Sequence, residues 1–410
     1  MIKDISYKEY RRSDDIHGTV LYPAVMVAPV QKDILLEISE QTRVPITSIL
    51  DPFHGSGTAL YESAIVFPNA KMYGCDINPL ANLITRTKLS GVSSDIQVNI
   101  NRVEHLLSLD KRDAIYEFPN ETKWFRSDIA YSLSKVRRCI QQIDNDLDRA
   151  FFWCMLSDII RKYSNSRSST YKLHMKTAEK ISSMEDNVIP DFLDSIKRNF
   201  PKYNLHFKNF SLYKTDTLNY LPSLNDHSID LVITSPPYGD NQTTVPYGLF
   251  SSLAIRWIPK QDLQIEGWEL TNYSIVDSHS LGSSKDVPLL LESDQLLINP
   301  YLERISTGKQ KKVMRFFAAY FQFLKEITRI CDKYLVLTLG NRTVDNVQID
   351  LSAISAQYLN RHGFSEYQTV SRNILNKRTP RLTSKVNNVP VQSIDKEYVL
   401  IYHRSSDEST

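Results

Sequence analysis

Four short stretches hold residues whose types and spacing can do chemistry. The first is Asp230-Leu-Val-Ile-Thr-Ser-Pro-Pro-Tyr238, an apolar run that ends in Ser235, Pro236, Pro237 and Tyr238. Proline lacks the N–H that a central strand needs, so a buried strand must stop here and become a rigid corner. In open α/β sheets, ligands bind at the carboxyl ends of strands. The prolines fix the direction of the Pro236 carbonyl, the Ser235 hydroxyl can donate or accept, and Tyr238 offers a flat face. Converging beside a ring, these groups make a receptor for the exocyclic amino group of a planar base. Such a base must first leave its duplex stack. The plainer reading of the corner is a strand terminator.

The second stretch is Asp51-Pro-Phe-His-Gly-Ser-Gly-Thr58. A glycine-rich turn between a buried strand and a helix can cradle a ligand, because Gly55 and Gly57 let the backbone approach it closely. It is neither a Walker loop nor the dinucleotide GxGxxG. Asp51 would repel a pyrophosphate and suits a cationic or amino-bearing ligand. The third stretch, Gly74-Cys-Asp76, places an acid 21 positions beyond Gly55. That matches the spacing of about 20 residues at which a second-strand acid meets a ribose. A cap for the helix that Pro79 opens is the alternative. Together, the second and third stretches specify a ligand with a ribose and a polar, amine-bearing end. The fourth is Asp216 in YKTDTLNYL, placed after the third strand to meet an adenine amino group, or else to serve as a cap or surface acid.

The elements that must position these residues alternate. Residues 46–51 and 70–76 read as buried strands, each followed by a helical run, which is the signature of a parallel α/β sheet. From 92 to about 200 the alternation halts, and helical periodicity takes over in IAYSLSKVRRCIQQI and LDRAFFWCMLSDIIRKY. Strands return at 205–213 and 229–235. A second irregular stretch runs from Gly239 to about Lys312, before an amphipathic helix from Val313. Strands at 334–340, 364–370 and 397–403 complete the sheet, with a helix at 351–361 between the first two. The last two strands are expected to pair as a hairpin, with one strand reversed near the sheet's edge. The expected class is therefore α/β, Rossmann-like, with seven mostly parallel strands. Residues 1–91 form the first part of the core, 92–200 a helical insertion, and 201–410 the second part with an irregular insertion at 239–312.

Composition constrains the rest. The 410 residues are 41% hydrophobic and 23% charged, as in an ordinary globular chain, and the net charge of +2 makes any basic surface local. Cys75, Cys139, Cys154 and Cys331 form no CxxC pair, so they read as reduced thiols of a cytoplasmic protein without a zinc site. The first residues lack a signal-peptide core, and no apolar run reaches membrane-spanning length. Trp124 and Trp153 read as helix-packing core.

DPFHGSGT followed by TSPPY resembles the S-adenosylmethionine-dependent DNA amino-methyltransferases, and the Ser-Pro-Pro-Tyr form resembles the cytosine-N4 enzymes of restriction-modification systems. His17–Pro29, with its Tyr-Pro-Ala, looks like the family's N-terminal cofactor-flanking motif. Residues 239–257 and 372–380 look like further stretches of one group of such methylases. The resemblance implies that S-adenosylmethionine is held by Tyr22, Pro23, Asp51, Pro52, Phe53, Gly55, Gly57, Thr58, Asp76, Ile77 and Asp216. It implies catalysis at Ser235, Pro236, Pro237 and Tyr238, with Tyr238 stacking on the flipped cytosine and no metal. The implied partners are double-stranded DNA and a cognate restriction endonuclease. Phosphate contacts are expected at Arg167, Lys172, Lys176, Arg372, Lys377 and Arg378, with Arg342 beside the pocket. Sequence readout falls to 92–200, to 239–312, or to both. The alternatives are an N6-adenine DNA enzyme, an RNA guanine-N2 methyltransferase, or a non-catalytic nucleic-acid-binding subunit.

Overall fold

The computed structural model describes residues 7–239, 245–268, 270, 272–281, 290–373 and 396–405, and the backbone of two further strands. In chain order the strands are Ser48–Asp51 (β1), Lys71–Cys75 (β2), Phe210–Tyr213 (β3), Ile229–Thr234 (β4), Cys331–Gly340 (β5), Arg342–Val344 (β6), Val347–Ile349 (β7), Phe364–Asn373 (β8), Leu382–Val386 (β9), Val389–Gln392 (β10) and Lys396–Arg404 (β11). Seven of them form one sheet in the order β3-β2-β1-β4-β5-β11-β8. The first five run parallel, and β11 runs antiparallel to both β5 and β8. This is the expected Rossmann-like α/β sheet, with its single reversal one place from the edge.

The sheet is buried on both faces, so its central strand β4 is apolar from Leu231 to Ile233. Alternate side chains of β4 serve different cores. Leu231 and Ile233 enter one cluster with Ile49 and Met72, while Val232 enters the other with Leu50 and Leu335. The first cluster also holds α1 (Ala28–Gln41), α2 (Thr58–Val66) and α3 (Pro79–Ser90). The second holds the helices Thr307–Ile330 and Leu351–Arg361.

Residues 92–200 carry no strand of the sheet. Their long helices are Ile96–Leu109 (α4), Ser127–Ile140, Asp146–Tyr163 and Val188–Asn199. Asn145 caps the third of these by accepting from the N–H groups of Leu147 and Asp148. The insertion belongs to the same cluster as α1–α3. Val103, Leu133, Phe151 and Trp153 share that core with Ile49 of β1. Trp124 and Trp153 are both buried, and the Trp153 indole donates to Asp262 at 2.9 Å.

Several boundaries differ from the sequence reading. β3 begins at Phe210 rather than Leu205, because the Phe207 N–H is already bonded to the Leu89 carbonyl at the end of α3. β8 and β11 do pair along their length, but β9 and β10 lie between them in the chain, so no tight turn joins them. The stretch 239–312 is less irregular than expected. It contains the helices Tyr247–Trp257, set between Pro246 and Pro259, and Glu292–Leu302, which carries Pro300 within it. The helix expected from Val313 starts at Thr307, because its first turns, TGKQKK, are polar and show no periodicity.

Candidate functional site

The turn after β1 is built from inside the sheet. Asp51 is fully buried, and its Oδ1 accepts from the Phe53 N–H at 3.1 Å and from the Thr234 hydroxyl at 2.7 Å. It therefore ties the end of β1 to the end of β4. Its Oδ2 has no hydrogen-bond partner among the described residues. Burial pushes this carboxyl up to about 7, against the opposing pull of the Thr234 and Phe53 bonds. Gly57 sits at φ +77°, and a Cβ there would lie 2.6 Å from Thr85. The fully buried Lys88 donates to the Ser56 carbonyl at 2.8 Å, and burial lowers its ammonium to about 7.

His54 lines the cavity and is tied into the turn. Asn82 donates its amide to the carbonyls of Asp76 and Asn78, which leaves its Oδ1 to accept from His54 Nε2 at 3.3 Å. Nδ1 lies 3.0 Å from the Gly55 carbonyl, which also accepts from the Thr85 hydroxyl at 3.0 Å. Burial lowers the imidazole's proton affinity, opposed by Asp76 and by the bonds to Gly55 and Asn82, and the ring braces the turn.

The turn, the ends of β2, β3 and β4, and the start of β11 surround a cavity of about 610 Å³, within the size range of small-molecule sites. Of the expected cofactor residues, Tyr22, Pro23, Phe53, Gly55, Thr58, Asp76, Ile77 and Asp216 line it. Asp51, Pro52 and Gly57 do not, and stand behind the wall. Asp76 accepts from the Gly55 N–H at 2.9 Å and the Asn78 N–H at 2.8 Å. Burial raises its carboxyl above the usual range, opposed first by His54. Asp216 caps the turn Thr217–Tyr220 through the Leu218 N–H at 2.9 Å while facing the cavity. The plain reading of Asp216 as a cap is thus realised in a residue that also faces the cavity, whereas the cap of the helix that Pro79 opens is Asn78 rather than Asp76.

Ser235, Pro236, Pro237 and Tyr238 line the same cavity. The Ser235 and Tyr238 hydroxyls are hydrogen-bonded at 3.1 Å. Sequence reasoning missed several neighbours. Asn78 caps α3 through the Leu80 N–H, and its amide reaches the hydroxyls of Tyr22 (3.0 Å) and Ser251 (2.8 Å). Tyr247 opens the helix Tyr247–Trp257 and packs 5.8 Å from the Tyr22 ring. Glu397, at the start of β11, also lines the cavity. The Ser-Pro-Pro-Tyr motif signals its own strand end, whereas Glu397 reaches the site only through the register of a reversed strand. Across the cavity, Lys309 pairs with Asp345, and Lys312 and Arg342 stand on the wall.

The basic candidates divide. Lys172 is exposed, and Arg167 is exposed with its Nε donating to the Met175 carbonyl at 2.9 Å. Lys176 is committed to the fold, since its ammonium donates to the Ser164 carbonyl at 2.6 Å. Arg372 is committed too. Its Nε donates to Glu397 at 2.8 Å, and its side chain is only 10% exposed. Lys377 and Arg378 lie outside the described residues. The Arg167–Lys172 loop is held next to the site. Arg161 donates to the Thr170 carbonyl and stacks 4.2 Å over Phe250, while Tyr171 packs 5.8 Å from the same ring. Phe250 in turn packs 6.3 Å from Tyr22. Among the described residues no acidic or thiol cluster has metal-site geometry, and no helix is long and apolar enough to cross a membrane.

No family profile matches the chain. It is similar to the Type II methyltransferase M.MvaI of Kocuria varians, 28% identical over 415 aligned positions that cover 92% of this chain and 88% of that protein. A shorter likeness, 37% over 79 residues and 19% of each chain, joins it to the Type II methyltransferase M.BglII of Bacillus subtilis. With this near full-length similarity beside it, the seven-stranded sheet with one reversed strand is that of the Rossmann-like methyltransferase fold.

Proposed function

We propose that the protein is a site-specific DNA methyltransferase of a restriction-modification system. It moves a methyl group from S-adenosylmethionine to the exocyclic N4 of a cytosine flipped out of the duplex. One observation carries the reading: the Ser-Pro-Pro-Tyr corner and the acid-bearing glycine turn open into a single cavity. The whole-length similarity to a Type II methyltransferase supports it.

The residues present fit the cofactor. A cavity with Asp76 and Asp216 on its wall, and Phe53 and Tyr22 beside them, suits a cation that carries a ribose and an aromatic base. When bound, S-adenosylmethionine supplies an electrophilic methyl on sulfur. Asp76 would hold the ribose hydroxyls, Asp216 the adenine amino group, and the Gly55 turn the amino-acid end. Asp51 acts from behind, by fixing the Phe53 turn and the Thr234 strand end. At the corner, the Ser235 hydroxyl and Pro236 carbonyl would hold the target amino group and raise electron density on its nitrogen, while Tyr238 stacks on the base. Catalysis is positioning and electrostatics, without a covalent enzyme intermediate. Base extrusion costs about a few kcal/mol. Arg167 and Lys172 would contact phosphates beside the site.

The test is incubation with unmethylated plasmid and radiolabelled S-adenosylmethionine, followed by digestion to nucleosides. Label in N4-methylcytosine is expected. Label in N6-methyladenine would keep the mechanism and replace the base, since the corner receives an amino group of either. Label confined to RNA, or none despite cofactor binding, would overturn the reading.

A further inference from the structure

We infer that Glu397 is the proton acceptor of the reaction, reached from the target amino group through the hydroxyls of Ser235 and Tyr238. The inference rests on the amino-methyltransferase reading of the cavity.

Topology brings Glu397 there. β11 runs antiparallel to β5, so its first residues lie beside the carboxyl end of that strand, with Glu397 opposite Gly340. On the other side Glu397 is the register partner of Arg372 on β8. The two bonds from Arg372 both go to Oε2, which fixes the carboxylate in place. The carboxylate lines the same cavity as Ser235 and Tyr238, whose hydroxyls are already joined at 3.1 Å. The Tyr238 hydroxyl lies within the carboxylate's field. Burial raises its pKa well above the ordinary value, and the Glu397 charge is the next cause. Glu397 acts in the same direction on Tyr247. The charged and titratable groups that face this region are Arg372 from β8, Tyr247 from its helix, and Tyr22, His54, Asp76, Asp216, His279, Lys309, Lys312, Arg342 and Asp345 on the cavity wall.

The reaction needs such an acceptor. As the amino nitrogen bonds to the methyl carbon, the carbon–sulfur bond breaks, and its electron pair stays on sulfur as a neutral thioether. The nitrogen then carries the positive charge and one hydrogen too many. Ser235 Oγ takes that proton and passes its own to the Tyr238 oxygen, which passes its own through an intervening water to the Glu397 carboxylate. Amine, hydroxyls and carboxyl all end neutral. Without the carboxylate, the proton must leave directly to solvent.

The experiment is single-turnover methylation of duplex DNA across pH, with Glu397→Gln, Tyr238→Phe and Arg372→Met beside the unmodified protein. Wild-type rate is expected to fall on the acid side. Glu397→Gln and Tyr238→Phe should lose that limb, with rates lowered about 100-fold, the usual scale for a proton-transfer partner, while cofactor affinity is kept. A purely structural ion pair predicts otherwise: Glu397→Gln and Arg372→Met would slow the reaction alike at every pH and leave the profile's shape intact. A second readout needs neither DNA nor cofactor. With tyrosines labelled at Cζ, the Tyr238 carbon resonance, assigned from Tyr238→Phe, should move across the acid pH range and stop doing so in Glu397→Gln. A wild-type pH profile in Glu397→Gln, or a Tyr238 resonance indifferent to it, would overturn the inference while the labelled plasmid still reports methylation. Absence of label with wild-type protein would instead overturn the function itself.

Discussion

Asp51 holds a carboxylate where little compensates its charge. Its proton affinity is higher in the folded chain than in the unfolded one, with the group moved from its ordinary 3.8 to about 7. The folded state therefore binds the extra proton between those values, and stability must decline as pH rises through them. Asp51→Asn keeps an acceptor for Phe53 and Thr234 and removes the charge. Its melting temperature should exceed wild type by several degrees above neutrality, and the gap should close as pH falls. A gap that does not change with pH would remove this account of the residue. Ser235→Ala should lower turnover roughly 100-fold, the scale of losing one proton-transfer partner at a reacting centre, while calorimetry finds cofactor affinity unchanged. Normal turnover would refute the role given to the hydroxyl. Both residues were visible in the sequence, but their roles were not equally so. Motif spacing placed Asp51 beside the ligand, whereas its bonds to Phe53 and Thr234 put it behind the wall.

The glycine turn and the reversed strand show what elements add. Gly57→Ala places a Cβ against Thr85 in a left-handed conformation, at a cost of about 1–3 kcal/mol. Thermal denaturation should show the loss, and cofactor titration should show weaker binding, because Ser56 and Gly55 move with the turn. Tight binding at reduced stability would separate the turn from the site. β1, β2 and β4 were legible because each is a short apolar run that stops at Gly, Asp or Pro. The helix Tyr247–Trp257 was not, since eleven residues between prolines carry too little periodicity to stand out. Glu397 was illegible for another reason. Nothing in KEYVLIYHR tells which strand it joins or in which direction, and only antiparallel register carries its first residues to the site.

For the whole molecule, the basic residues predicted from sequence separate into those exposed beside the cavity and those used by the fold. Arg167→Ala with Lys172→Ala should weaken DNA binding and flatten its salt dependence by about one unit of slope for each phosphate no longer neutralised. Arg372→Met should instead lower the melting temperature, since it strands Glu397. If its salt slope fell with stability intact, Arg372 would be a phosphate ligand after all. The insertion 92–200 shares one hydrophobic cluster with the first half of the sheet, so a sequence boundary there does not mark a separate core. The four cysteines divide along the same lines. Cys139 and Cys154 belong to the insertion's cluster, and Cys75 and Cys331 to the opposite face. All four are buried, and burial pushes their thiols up, Cys139 to about 11 and the others to about 12. In the native state they should resist alkylation, because the thiolate is the reactive form. They are thus a built-in set of unfolding clocks. The rate at which each is alkylated reads the opening of its own layer, and equal rates on both sides of the sheet would mean that the two faces come apart as one.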